Sequence, residues 1–315
     1  MISLRRLFEK PWLWSFVAAI LVWLATMAFT RGHGGGELMT AALTFATFFV
    51  IVGIGQMFVI TLGPGNVDLS IPATMTLAGS VSMKIMDTQD PMIIVGLLAA
   101  LGCGLGVGIF NYALILILRI PPIIATLSSS FVILSAAIAY GRGLRIKPPP
   151  LLAEFTTVQV AGVPILAIFV TLLAALLAVV LHRTVYGRSV VAIGQSQRAA
   201  GFAGIRVERI RFFTYVLSAL LAALCGYFFS GFSGGSSLSM GEQYLLASIA
   251  VVVIGGTSVA GGNGNLPGLW GAALFLFLVQ SMLNTYQLSA GLRYLATGLI
   301  IIAVITAAGG QKTPR

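Results

Sequence analysis

Read for side chains that could do chemistry, this chain of 315 residues offers few: two histidines, two cysteines and eight acidic residues. His33 and His182 are far apart, and no serine or cysteine has a base close to it in sequence, so no nucleophile, base and orienting group assemble into a catalytic set. Cys103 and Cys225 sit in different apolar runs without the paired spacing of a metal or redox motif, and read as packing residues. Gly102 to Gly108, GCGLGVG, resembles a dinucleotide fingerprint but lies inside an apolar run with no strand before it; its Gly104 and Gly108 instead give a small-residue face for close helix packing. Gly255 to Gly264, GGTSVAGGNG, lacks the lysine followed by Ser or Thr that a phosphate loop needs, so no cofactor site and no metal site is read in this chain. What remains is hydrogen-bonding chemistry within apolar runs: Gln56, Asn111, Gln280 and Asn284, with Asp68 and Ser70 in the interrupted stretch TLGPGNVDLSIP from Thr61 to Pro72.

Two roles fit these groups. Polar side chains are costly in lipid and face a cavity or a neighbouring helix, so Asn111 and Gln280 either line a path for a neutral hydroxylated solute or bond between helices. No run carries the Asp, Glu and His series of a proton relay, and Asp68 is the one acid placed to reach membrane depth. Ser70 ahead of Ile71 and Pro72 has the form of an N-cap, and Asp68 is placed to receive backbone donors at that helix start or to serve as a gate or substrate contact.

The elements that must position these residues are transmembrane helices. Hydrophobic residues make up 58% of the chain and charged residues 8%, far from the balance of a soluble domain. The net charge of +10 is scattered between long uncharged runs and forms no basic stripe, which excludes nucleic acid as the partner. A helix needs about 20 apolar residues to cross the hydrocarbon core. Ten runs of that kind are read: 12–30, 40–62, 69–86, 92–118, 122–140, 162–181, 212–231, 244–260, 266–285 and 292–309. The first has basic residues before it but an apolar core too long for a signal peptide, and reads as an uncleaved span. The expected fold is therefore all-α, one transmembrane domain over 1–315 with both termini in the cytoplasm. That orientation puts twelve Lys and Arg inside and six outside.

An internal repeat organises the runs. GNVDLSIPATMTLA at 65–78 and GGSSLSMGEQYLLA at 234–247 share Gly, Leu-Ser and Leu-Ala at an offset of 169 residues, which also places Asn111 opposite Gln280. The same offset carries spans two to five onto spans seven to ten; an odd number of spans separates the copies, so they run in opposite directions through the membrane.

From His182 to Arg211 the chain crowds six of its eighteen Lys and Arg into one inner loop. Ser196 is a good N-cap, 197–203 can make about two helical turns, and Gly204 suits the stop. Ala199, Phe202 and Ala203 fall on one face of this short helix, small enough to dock closely into a cleft on another protein.

At three places the chain resembles the permease subunits of bacterial ABC importers of the ribose, or monosaccharide, class: YGRSVVAIGQSQRAAGFAGI at 186–205, LASIAVVVIGGTSVAGGNGNLPGLWGA at 246–272 and VDLSIPATMTLAGSV at 67–81. It departs from that pattern at Gly63, Pro64, Gly65 and Asn66, where such permeases have adjacent glycines and an isoleucine before the aspartate. The resemblance implies a ten-helix inner-membrane permease that pairs with a second permease subunit, a cytoplasmic ATPase carrying ATP and Mg, and a periplasmic solute-binding protein. It assigns coupling to the ATPase to Gly187, Arg188, Ala192, Gly194, Arg198, Ala199, Ala200, Phe202, Ala203 and Gly204. Asp68, Ser70, Asn111, Gln280 and Asn284 are the candidate path or gate, and Arg142, Arg145, Lys147 and Glu242 the candidate docking residues for the soluble partner. The expected activity is alternating-access import of a monosaccharide or related polar solute. A branched-chain amino acid or nucleoside permease is the nearest alternative, and an ATP-independent carrier or channel the alternative of another class.

Overall fold

The structure, a computed structural model, describes residues 11–32, 34–143 and 146–286, together with 289, 291–292, 295–296, 298–299 and 302. It is almost wholly helical, in the order α1 (Pro11–Phe29), α2 (Gly35–Thr61), α3 (Ile71–Met86), α4 (Ile93–Ile117), α5 (Pro122–Gly141), α6 (Pro150–Thr157), α7 (Ile165–Arg183), α8 (Val185–Gln195), α9 (Gln197–Phe202), α10 (Val207–Phe232), α11 (Tyr244–Ile254) and α12 (Leu266–Thr285). A two-residue hairpin, β1 (Gln159–Val160) with β2 (Val163–Pro164), links α6 to α7.

Among the described residues seven helices are long and apolar enough to cross a membrane: α1, α2, the 90–117 helix containing α4, α5, α7, α10 and α12. The runs at 69–86 and 244–260 give shorter helices, α3 with 16 residues and α11 with 11, and the run at 292–309 lies mostly outside the described residues. At 1.5 Å per residue α11 is about 16 Å long and α3 about 24 Å, less than the hydrocarbon thickness. The 244–260 run stops at Ile254 because Gly255 and Gly256 turn the chain, Gly256 with φ 88°. The two short helices are the two that the 169-residue offset pairs.

The core is built around α2 and α10, the two helices that contribute the most buried residues. A helix that is apolar all round must be wrapped by its neighbours or by lipid, and α2 is enclosed by protein throughout Ala46–Thr61. The packing follows the offset: α10 packs on α3 and α4 as α2 packs on α11 and α12, and α3 packs on α4 as α11 packs on α12. Gly104 and Gly108 do form the close face anticipated for GCGLGVG, since a Cβ on Gly104 would lie 2.8 Å from the Ala219 carbonyl oxygen and one on Gly108 2.7 Å from the Val216 Cα. Elsewhere the apolar side chains face outward, Leu172 and Leu176 of α7 and Phe131 of α5 among them, as on a lipid-facing surface.

Candidate functional site

The stretch before α3 is held by a buried hydrogen-bond cluster. Asp68 is 1% exposed, and its Oδ1 accepts from the Ser70 backbone N–H at 3.0 Å and from the Ser70 hydroxyl at 2.6 Å. Its Oδ2 accepts from Ser218 Oγ of α10 at 2.7 Å, and the Asp68 N–H donates to Gln56 Oε1 of α2 at 3.2 Å. Asn111 of α4 donates to Ser70 Oγ at 2.7 Å and accepts from Ser129 of α5. Thr126 of α5 completes the ring, accepting from the Leu69 N–H at 3.1 Å and donating to the Val67 carbonyl at 3.2 Å. Asp68 thus ties α2 and α10 directly to the start of α3, and its neighbours Val67, Leu69 and Ser70 add α4 and α5, which fits an acidic side chain buried only because it is multiply hydrogen-bonded. Ser70 does occupy the N-cap position of α3, but its hydroxyl points to Asp68 instead of capping the helix. Asn66, in the same stretch, accepts from Tyr215 at 3.2 Å and Arg211 at 3.5 Å of α10.

Asp68, Ser70 and Asn111 are therefore brought together. Gln280 and Asn284 are not joined to them: on α12, Gln280 is half-buried and Asn284 exposed, and no hydrogen bond connects either to the cluster among the described residues.

The basic loop at 182–211 folds as two helices. Thr184 caps α8, accepting from the Gly187 N–H at 3.1 Å, and Ser196 caps α9, accepting from the Ala199 N–H at 3.3 Å. Gly204, with φ 83°, ends the turn, and Ile205 N–H returns to the Ala200 carbonyl at 3.1 Å. Ala200 is 4% exposed, packed with Val190, Ile193 and Tyr215, so it anchors α9 and does not present a surface. Gly187 and Gly194 are also buried at close backbone contacts, and Ala192 is half-buried. The outward side carries Arg188, Arg198, Ala199, Phe202, Ala203 and Gly204. Phe202 is 93% exposed, at the edge of a groove of about 750 Å³ that Ser196, Gln197, Arg198, Gly201 and Val207 also line. Tyr186, whose phenol burial pushes up to about 12, stays neutral and shares a hydrogen bond with Thr214 of α10 at 2.9 Å, which fixes α8 to the body.

At the other end, Arg142, Lys147 and Glu242 are exposed, while Arg145 lies outside the described residues. Their two loops adjoin: a Cβ on Gly235 would lie 2.9 Å from the Ile146 carbonyl oxygen.

Residues 38–305 match the family described as branched-chain amino acid transport system / permease component. The chain belongs to this family. The permease is similar to the fructose import permease protein FrcC of Rhizobium meliloti, 30% identical over 302 residues that cover 92% of this chain and 83% of that one. It is 31% identical over 259 residues to the ribose import permease protein RbsC of Bacillus subtilis, covering 81% and 79%. The same identity and span relate it to the probable ABC transporter permease protein y4mJ of Sinorhizobium fredii, covering 81% and 77%. No solved structure matches the chain at a significant level. It is an all-α, multi-pass inner-membrane permease of the ABC importer class, whose ATPase and binding protein are separate components.

Several residues that shape the permease's sites escaped sequence reasoning. Ser218, Ser129 and Thr126 stand in ordinary apolar helices, where serine and threonine also bond to their own backbone, and nothing in their spacing marks them as members of the cluster around Asp68. Thr184 carried a signal: a threonine directly before a helical pattern, in the place of an N-cap.

Proposed function

We propose that the permease is the transmembrane subunit through which an ATP-driven importer passes a monosaccharide or a closely related polar solute, taken from a periplasmic binding protein and released in the cytoplasm. The end-to-end likeness to import permeases for fructose and ribose carries the substrate class. ATP coupling is carried by one observation above others, Phe202 standing 93% exposed on a short helix capped at both ends and anchored from behind by Ala200. Full burial of such a side chain in a partner is worth about 1.5–3 kcal/mol, and exposed aromatics of this kind act as interface anchors.

In this reading 182–211 is the cytoplasmic coupling loop, both termini are cytoplasmic, and the ATPase receives the face of Arg188, Arg198, Ala199, Phe202 and Ala203. Arg142, Lys147 and Glu242 face the binding protein from two adjoining outer loops. A second permease subunit completes the path. The starts of α3 and α11 supply the moving parts, because interrupted helices at matched places in inverted repeats surround substrate paths in many transporters. Asp68 acts as the latch that holds α3 in register, with partners on α2 and α10, and not as an open contact for solute.

The test is uptake of labelled monosaccharides into vesicles holding the permease with its ATPase and given the loaded binding protein. Uptake that requires ATP supports the reading. Uptake at the same rate without ATP identifies a carrier or channel instead.

A further inference from the structure

The glycine-rich loop 255–264 holds no phosphate motif, and its glycines are accounted for by three backbones meeting at one point. A Cβ on Gly194, at the end of α8, would collide with the Thr61 carbonyl oxygen at the end of α2 and with the Gly262 nitrogen. A Cβ on Gly261 would collide with the Gly63 Cα and lie 2.6 Å from the Gly63 nitrogen. The Gly262 N–H donates to the Thr61 carbonyl at 2.9 Å, satisfying one of the carbonyls that the end of α2 leaves unpaired. Gly264 closes the junction, since a Cβ there would lie 2.9 Å from Thr61 Oγ1 and 3.2 Å from Leu181 of α7.

The loop itself is stiffly built. Ser258 N–H bonds to the Asn263 carbonyl at 3.1 Å, Asn265 N–H bonds to Thr257 Oγ1 at 3.1 Å, and Asn265 caps α12. Gly255 and Gly268 approach so closely that no Cβ fits on Gly268.

We propose that this junction of Gly194, Thr61–Gly63 and Gly261–Gly262 is the element that transmits movement of the coupling helices to the two halves of the repeat. Residues 63, 261 and 262 are thereby positioning residues for transport, and Gly194 acts inside the permease instead of touching the ATPase. Side chains between packed elements can re-adjust their rotamers and absorb a small displacement; backbones in direct contact cannot, so a shift of α8 is passed on to α2 and to the α11–α12 turn together. From Thr61 the displacement reaches the Asp68 cluster through Gln56 and the 62–70 stretch of the same chain segment. The inference rests on the reading of 182–211 as the coupling loop.

Gly194→Ala is the informative variant, because Gly194 lacks the positive φ of Gly63, Gly261 and Gly262 and the added methyl therefore tests close approach alone. In the assembled complex the variant should retain the ATPase and its hydrolysis, while sugar taken up per ATP hydrolysed falls about tenfold or more, as an overpacked contact would impose. Gly36→Ala, where the methyl meets nothing, controls for expression. Unchanged uptake per ATP in the Gly194→Ala complex overturns the proposal. Hydrogen exchange on the unaltered complex decides the case independently of whether the variant folds: on adding a non-hydrolysable ATP analogue, segments 186–196 and 255–264 should change protection together. A change confined to 186–196 overturns the proposal. Absence of ATP-dependent uptake by the unaltered complex would sink the importer reading instead.

Discussion

Pro72, in the first turn of α3, and Gly241, just before α11, touch backbone to backbone: a Cβ on Gly241 would collide with the Pro72 carbonyl oxygen. The two residues are 169 apart, the offset that pairs the two halves of the chain, so equivalent points of the repeat meet each other where the two short helices begin. Contact between equivalent points is what an axis relating the halves requires, and it places the starts of both interrupted helices together.

Gly241→Ala should therefore force α3 and α11 apart. Overpacking of this kind costs about 1–3 kcal/mol, read as a lower midpoint of thermal unfolding in detergent. Gly102→Ala, where a Cβ meets nothing within 4 Å, should leave the midpoint in place. Equal midpoints for the two variants would remove the contact from the account.

Asp68→Asn keeps an oxygen for the two Ser70 donors but loses the acceptor for Ser218. One lost hydrogen bond to a charged group is worth about 1.5–3 kcal/mol, so the variant should assemble, unfold at a lower temperature and transport more slowly. Ser218→Ala should reproduce part of the loss. Transport at the normal rate by Asp68→Asn, at normal expression, would reduce Asp68 to the turn that starts α3.

Substitutions on the two sides of α9 should fail differently. Ala200→Trp places an indole where Val190, Ile193 and Tyr215 already pack, and should lower the amount of folded permease. Phe202→Ala should leave the amount unchanged and release the ATPase during purification, with affinity reduced about tenfold or more. The reverse pattern would mean that Phe202 is a core residue of the loop and that the ATPase binds elsewhere.

Sidedness follows from the same arrangement. Arg198→Cys should react with an impermeant thiol reagent only from the cytoplasmic face and Gly143→Cys only from the opposite one. Reaction of both from one side breaks the orientation drawn from the basic residues.

Much of this could be read from residue order because lipid imposes few solutions. Apolar length located α1, α2, α4, α5, α7, α10 and α12, and Ser196 with Gly204 bounded α9 to within a residue. The interruption at Thr61–Pro72 announced the late start of α3. Hydropathy could not tell a half-length helix from a full span at 244–260, since the glycines after Ile254 are as compatible with a tight helix interface as with a turn. Ala200 was misplaced on the docking side because its inward direction is set by α8, an element hidden in a sequence that looks like a basic loop. The members of the Asp68 cluster on α4, α5 and α10 come together through tertiary packing, which local spacing does not encode.

The central claim is that solute delivered on one face drives ATP use on the other through α8 and α9. It is tested most directly by measuring ATP hydrolysis by the ATPase bound to permease vesicles, with and without sugar-loaded binding protein on the opposite side. The account predicts stimulation by the loaded binding protein with the unaltered permease, and none with Phe202→Ala. Hydrolysis that ignores the binding protein in the unaltered complex, or that is stimulated equally in the Phe202→Ala complex, would contradict it.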